Sequence, residues 1–551
     1  MTGDMFIHGS LSIASTGVSW GANSTGMRFV STTTGNTISV AGVVMAGNPF
    51  FDGVGGEWTL LGNYTNNNAG RNLTLTNGTL NLNGFTFTIA NLACNNSNVR
   101  AINFGTTGKI VLIGSGVRIV DIRTATNFSA SGNKLIECTY SSSVGTRTIE
   151  TGTVTAVNAL NISVTAGSDI VSMSNSFNDI NLTGFTGTLT SGARTVFGNL
   201  AIPSGITVSG STSATTLSGT GTQTITAGSV LDFPITDSGT GTVQLGANLT
   251  LGSTRRFTHS SGTLDLNGFN LTTAEFSSSG TSARTIATST GSIVVTGNAA
   301  TNWNLADTTN LTVTGNRTVQ FTYAGATGTR NIRHGNSPGT FDDATAFNMS
   351  FTAGSDTINF TGAVRNLSMA GFTGSLTTGS TELRCTGNLT FGTGSTTTPS
   401  SFPLVLAGTS SQTVATNGVT LDFPITMSGS DVSFATALTH GAADRTFLFT
   451  SGTLRFKEGT TNNLTIFTSS GGAAKTLRSG VGGVQATLSD VSGINSLSNT
   501  TVQDINAIGG ASWQAYTANG NVDAGNNTGW LFSPAASAYM YTRRKNKRII
   551  I

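Results

Sequence analysis

The octapeptide Gly-Thr-Leu-Asn-Leu-Asn-Gly-Phe at residues 78–85 returns as Gly-Thr-Leu-Asp-Leu-Asn-Gly-Phe at 262–269, with one residue changed. A looser copy, Gly-Thr-Leu-Arg-Phe-Lys-Glu-Gly, occupies 452–459. In each, apolar side chains fall on every second residue, as at Leu80 and Leu82 or Leu264 and Leu266, and in the first two Asn-Gly then breaks the run. Period-two alternation places those side chains on one face of an extended strand, and Asn and Gly are the residues that turn a chain through left-handed backbone angles. The unit reads as a short, half-buried strand closed by a corner.

The copies lie 184 and 190 residues apart, from Gly78 to Gly262 and from Gly262 to Gly452. Other strings keep the same register. Leu-Asp-Phe-Pro-Ile-Thr at Leu231 recurs at Leu421, Ala-Gly-Ser-Asp at Ala166 recurs at Ala353, and Gly-Phe-Thr-Gly at Gly184 recurs at Gly371. The segment from Cys138 to Ile149 matches that from Phe321 to Ile332, and the intervals from Pro49, Pro234 and Pro424 to the next Gly-Thr-Leu are 29, 28 and 28 residues. An internal repeat of about 187 residues is therefore read before any local motif. Copy one runs over 1–165, copy two over 166–352 and copy three over 353–500; closing coils follow at 501–537 and a basic tail at 538–551. No Pro-rich or charged spacer separates the copies.

Composition bounds the class. Of 551 residues only 9% are charged and 71 are Gly, but 37% are hydrophobic and 30 are Phe, so the chain has apolar material that a disordered linker lacks. The net charge of +3 includes Arg543, Arg544, Lys545, Lys547 and Arg548 in the tail, which leaves the body at −2, with no basic face for nucleic acid. Cys94, Cys138 and Cys385 lie far apart and read as apolar fillers, not as a zinc or disulfide framework. Asp4 stands where a secretory signal would carry a basic residue, and no apolar run approaches the roughly 20 residues of a membrane helix, so no classical export signal and no membrane span are expected. The Asn-X-Thr triplets at Asn72, Asn248, Asn270 and Asn388 follow from the composition more readily than from glycosylation.

Strands this short bury a thin apolar strip each and need neighbours on both sides. The fold expected is all-β, a right-handed parallel β-helix or β-solenoid with three internal repeats, in which Gly and Asn take the left-handed corners and Thr and Asn form ladders. Coils of roughly 20 residues, about nine to a copy, would satisfy the pattern in order of magnitude. Tandem β-sandwich domains are the alternative that alternation also permits.

The stretch Val502 to Phe532, VQDINAIGGASWQAYTANGNVDAGNNTGWLF, resembles the closing coils of pectin-lyase-like β-helix proteins found among phage tail and surface proteins. The GTLDLNGF repeats look like those of phage virion fibres and spikes, and the ending YMYTRRKNKRIII is similar to short basic tails on such chains. The resemblance implies a virion structural protein, a tail fibre or spike for host-surface attachment, homotrimeric, assembled in the host cytoplasm and then extracellular. The partners it implies are other virion proteins and a host surface glycan or receptor. Two alternatives stay open: a capsid or tail decoration binding only virion partners, and a polysaccharide-degrading tailspike.

Catalytic chemistry is hard to find in the residues. A glycosidase needs two convergent carboxylates. Asp342 and Asp343 are adjacent and read as a turn, and Asp169 and Asp356 recur in Ala-Gly-Ser-Asp as turn-capping carboxylates, with a Ca²⁺ site as the sharper reading. His8, His259, His334 and His440 show no paired spacing and read as surface or corner residues; Thr151 stands in copy one where copy two has His334. Arg147 and Arg330 recur at one position, and Arg100, Arg284 and Lys475 at another. Both sets read as structural corner cations donating to carbonyls, against a ligand-binding stripe. Trp20, Trp58, Trp303, Trp513 and Trp530 could offer ring faces to a sugar; Trp513 and Trp530 read instead as an end cap. The tail residues Arg543 to Arg548 are candidates for docking on a partner subunit. No enzyme activity, cofactor or metal is expected.

Overall fold

The computed structural model describes residues 3–14, 18, 26–335, 345–441 and 444–533. The chain divides into two compact units, Met1–Gly354 and Ser355–Ile551, and each is a parallel β-solenoid. Among the described residues the one helical element is a short 3₁₀ turn, Thr517–Asn519.

In the first unit, strands Met5–Ile7, Met27–Phe29 and Pro49–Phe51 pair in parallel, each with the strand one coil further on. A second face is a six-stranded sheet of Leu11–Ser12, Asn36–Ser39, Glu57–Leu60, Gly78–Asn81, Arg100–Asn103 and Phe128–Ser131. A third begins with Tyr64–Thr65, Thr86–Ile89, Lys109–Leu112 and Leu135–Cys138. The second unit repeats the plan, with Leu404–Leu406, Ile425–Met427, Thr446–Phe449 and Ile466–Ser469 on one face. Every strand pairing found among the described residues is parallel, whereas a β-sandwich would be antiparallel. The solenoid expectation holds and the sandwich alternative falls.

The short sequence period is obscured because coil length varies. Registered partners on adjacent coils are 18 residues apart at Ile170 and Thr188 and 29 apart at Val120 and Ile149. Most of the variation is carried by the turns, and some strand pairs add a register shift, as between Arg118 and Val120 and between Met173 and Asn175.

Inward residues stack on those of the next coil. Phe29 lies on Phe51 at 4.6 Å, Tyr64 on Phe87 at 4.2 Å, and in the second unit Phe434 on Phe456 at 5.3 Å. Each such ring is fully or almost fully buried, which contributes on the order of 1.5–3 kcal/mol per side chain. The three cysteines are buried free thiols within this core, and burial pushes the Cys94 and Cys138 thiols up to about 12.

The Asn-Gly corners have a double function. Asn83 and Gly84 both take positive φ, 51° and 84°, and Asn267 and Gly268 repeat this at 50° and 84°. The side-chain amides of Asn83 and Asn267 donate to the Leu60 and Leu245 carbonyls of the coil before, at 3.3 and 3.2 Å. Asn is thus placed both by its tolerance of left-handed angles and by a bond between coils.

The Asn-Leu-Thr triplets also acquire a structural reason. The Asn248 side-chain oxygen accepts the Asn270 N–H at 2.9 Å, and the Asn270 oxygen accepts the Ser292 N–H at 3.0 Å. Asn388 accepts from Thr413 at 2.9 Å in the same way. In these three triplets Asn caps the start of the next coil's strand, Leu is buried and Thr faces out, whereas the Asn72 oxygen accepts from the Asn91 side-chain amide at 2.9 Å.

Candidate functional site

The cations that recur through the copies are buried. Arg100 and Arg284 each stand at the first residue of a strand and close a six-residue turn, 94–99 or 278–283; Lys475 closes a five-residue turn, 470–474. The Arg100 guanidinium donates to the carbonyls of Cys94, Asn98, Thr126 and Thr124. Arg284 donates to the Ser278 hydroxyl and the carbonyls of Gly280, Ser282 and Asp307. The Lys475 ammonium donates to Ser470, Gly471 and Ala473 at 3.1, 3.2 and 3.0 Å. A shorter donor set accompanies the shorter turn. These cations replace water as donors to turn carbonyls, which supports the corner role over the ligand stripe. Burial draws the pKa of each below its ordinary value.

Asp169 differs from its sequence reading. Both of its carboxylate oxygens accept from Arg147, Oδ2 from Nε at 2.8 Å and Oδ1 from Nη2 at 2.7 Å, with both side chains 1% exposed. It is one half of a buried ion pair, not a turn cap, and the oxygens a Ca²⁺ ion would need are engaged. Two recurring positions read separately in the sequence are therefore one interaction. Asp356 and Arg330 are likewise buried.

Other carboxylates pair with cations on neighbouring coils. Asp232 accepts from Arg255 at 2.7 Å, and Asp422 accepts from Arg445 at 2.8 Å at the corresponding place in copy three. Arg28 links Asp4 and Asp52 across three coils, and Lys109 pairs with Glu137. Among the described residues no group of three or more His, Cys, Asp or Glu is arranged to hold a metal ion. Asp342, Asp343 and the tail residues Arg543, Arg544, Lys545, Lys547 and Arg548 lie outside the described residues.

Three of the four histidines are in the core, contrary to the surface expectation; only His8 is exposed. His259 Nδ1 lies 2.8 Å from Asp237 Oδ2 on the adjacent coil, and both residues are buried. Burial holds the Asp237 carboxyl above the usual carboxylate range, against the opposing pull of the His259 hydrogen bond. Burial also lowers His334 to about 4 and lowers His440. In copy three, Met427 and Phe449 occupy the places of Asp237 and His259, in the same register.

The tryptophan platform is not formed either. Trp58, packed on Phe29 and Phe51, and Trp303, packed on Phe276 and Phe347, are wholly buried. Trp513 and Trp530 are also buried, with rings 5.3 Å apart on the paired strands Ser512–Gln514 and Trp530–Leu531. Trp20 lies outside the described residues.

Open concave surface occurs where short corners meet a longer turn. In the first unit a groove of ≈ 560 Å³ is lined by Thr240, Ser261, Thr263, Ser282, Thr285 and Thr312, with Gly262 and Asn310. In the second a groove of ≈ 300 Å³ is lined by Thr409, Ser428, Ser430, Ser451, Gly429 and Gly452. Ser261 and Ser451, like Thr240 and Ser430, hold corresponding repeat positions. Neither lining includes a carboxylate or an aromatic ring. The sequence reading missed these grooves because they lie where two- to four-residue corners adjoin a longer turn on a neighbouring coil.

Comparison with protein-family models, with curated proteins and with solved structures gives no match for this chain. No helix among the described residues is long and apolar enough to cross a membrane.

Proposed function

We propose that this chain is a non-enzymatic virion structural protein, a tail fibre or spike that mediates attachment to a host surface. The observation that carries the reading is the solenoid itself: inward positions are mostly apolar and stack coil on coil, and outward positions are largely hydroxyls and amides. Most acids are tied to cations or backbone amides of neighbouring coils or of their own turns. That division of residues suits a spacer that presents a long neutral surface, and the resemblance of Val502–Phe532 and of the Gly-Thr-Leu repeats to phage fibres supplies the setting. Trimer formation, virion partners and a host glycan or receptor belong to the same proposal, with Trp513 and Trp530 closing the stack and the basic tail docking on a partner.

Immunogold electron microscopy with antibody raised against the full chain tests it, together with adsorption assays in which free chain competes with particles. Label on projecting fibres and blocked adsorption support the proposal. Label on the particle with unchanged adsorption favours a decoration protein, and absence of label from the particle overturns the virion assignment.

A further inference from the structure

We propose that the corner groove of the first unit binds a neutral oligosaccharide chain; the inference rests on the host-attachment reading. The first groove crosses four successive coils, marked by Thr240, Ser261, Ser282 and Asn310. At the strand spacing of about 4.8 Å it is roughly 14 Å long, which suits a short run of sugar rings better than one.

Its chemistry is that of a hydroxyl-binding surface. The hydroxyls of Thr240, Thr263, Thr285 and Thr312 have no hydrogen-bond partner within the described residues and face outward. Thr263, Thr285 and Thr312 stand in register on adjacent strands, so they form a column of donor-acceptor groups repeating once per coil. The one charged lining residue, Arg284, is 2% exposed and turns its guanidinium into the groove wall, where it fastens the 278–283 turn. The surface offered to a ligand is therefore neutral and fixed before binding, which lowers the ordering cost of holding a flexible polyhydroxyl chain. A polyanion would find no free cation there, and a protein partner would find no apolar anchor.

The floor is kept bare by backbone crowding. Gly262 has φ 74°, and a Cβ there would lie 2.4 Å from the Gly241 carbonyl oxygen; Gly452 has φ 79°, with the Gly429 oxygen at 2.2 Å. The first groove runs over the 278–283 turn that Arg284 closes. The smaller groove of the second unit shares only the glycine floor at Gly452 and the hydroxyls of Ser430 and Ser451 with it, and has neither the threonine column nor a cation in its lining.

The test is binding of the full chain to a printed array of neutral and acidic bacterial surface polysaccharides, compared with Thr263→Val/Thr285→Val/Thr312→Val and with Thr285→Gln, which narrows the groove while staying polar. Valine keeps shape and strand propensity, so folding is checked by unchanged thermal unfolding. Binding of the parent to neutral glycans with at least a tenfold loss in both variants is the expected result. Equal binding by parent and variants overturns the groove assignment and leaves host attachment standing. Selective binding to acidic glycans overturns the neutral-ligand inference, and binding to no glycan removes the groove proposal together with the glycan arm of the attachment reading.

Discussion

Replacing His259 by Phe, the residue that copy three places at the equivalent Phe449, should be strongly destabilising by itself and nearly harmless in the right company. His259 and Asp237 are buried and joined by one 2.8 Å contact, with Asp237 Oδ1 and His259 Nε2 left without partners. H259F strands a buried carboxyl, a change that costs about 3–5 kcal/mol when a buried pair is broken. D237M leaves the buried His259 ring without its one hydrogen-bond partner and costs about 1–3 kcal/mol. Independent effects would sum to about 4–8 kcal/mol. The double variant D237M/H259F restores the apolar pair present at Met427 and Phe449 and is expected between no loss and a gain of a few kcal/mol. Because a long solenoid need not unfold in one step, the assay is hydrogen exchange over residues 235–277 alongside thermal unfolding. A double variant as unstable as the sum of the singles would refute the reasoning, since the two positions would then be uncoupled.

Acid should destabilise the first unit through His334, whose folded pKa of about 4 lies below the unfolded value of about 6.5. Its contribution is present above about pH 6.5 and is lost as pH falls toward 4, about 3 kcal/mol in all, and H334T, which copies Thr151, should shallow the slope of stability against pH over that window. Removing the caged ammonium with K475M is expected to cost about 1–3 kcal/mol by leaving the Ser470 and Ala473 carbonyls without donors and Gly471 with the Asn499 amide alone, measured as lost exchange protection over 470–479. N267A should cost about 1–2 kcal/mol in chemical denaturation because Ala must enter φ 50° and loses the bond to the Leu245 carbonyl, whereas N267G should lose less.

Parity along the strands made much of the fold legible. Leu264 and Leu266 alternate inward as read, and the same rule applied to Phe257 and His259, or to Trp303 and Leu305, would have placed that histidine and that tryptophan in the core. At these positions inward parity outweighs the polar or sugar-stacking chemistry of the side chain. The partners of Asp169 and Asp237 were less accessible: they lie 22 residues away, across a coil whose length varies, so only the recurrence of Arg147 as Arg330 hinted at the first. The grooves depend on differences in turn length between coils and have no signature within any single coil.

The Asn-Gly corners carry a consequence for chemical ageing. In flexible peptides this dipeptide is the quickest to deamidate, because the glycine nitrogen attacks the asparagine side-chain carbonyl to close a succinimide ring. Here the Asn83 amide is tied to the Leu60 carbonyl and the Gly84 N–H is tied to the Phe104 carbonyl at 3.1 Å, so both reacting groups are held in a left-handed bend. A coil that stays wound should preserve its asparagines for as long as the bend persists. Deamidation at Asn83 or Asn267 would then act as a clock that runs only in chains whose corners have opened, a record of past unwinding that outlasts refolding.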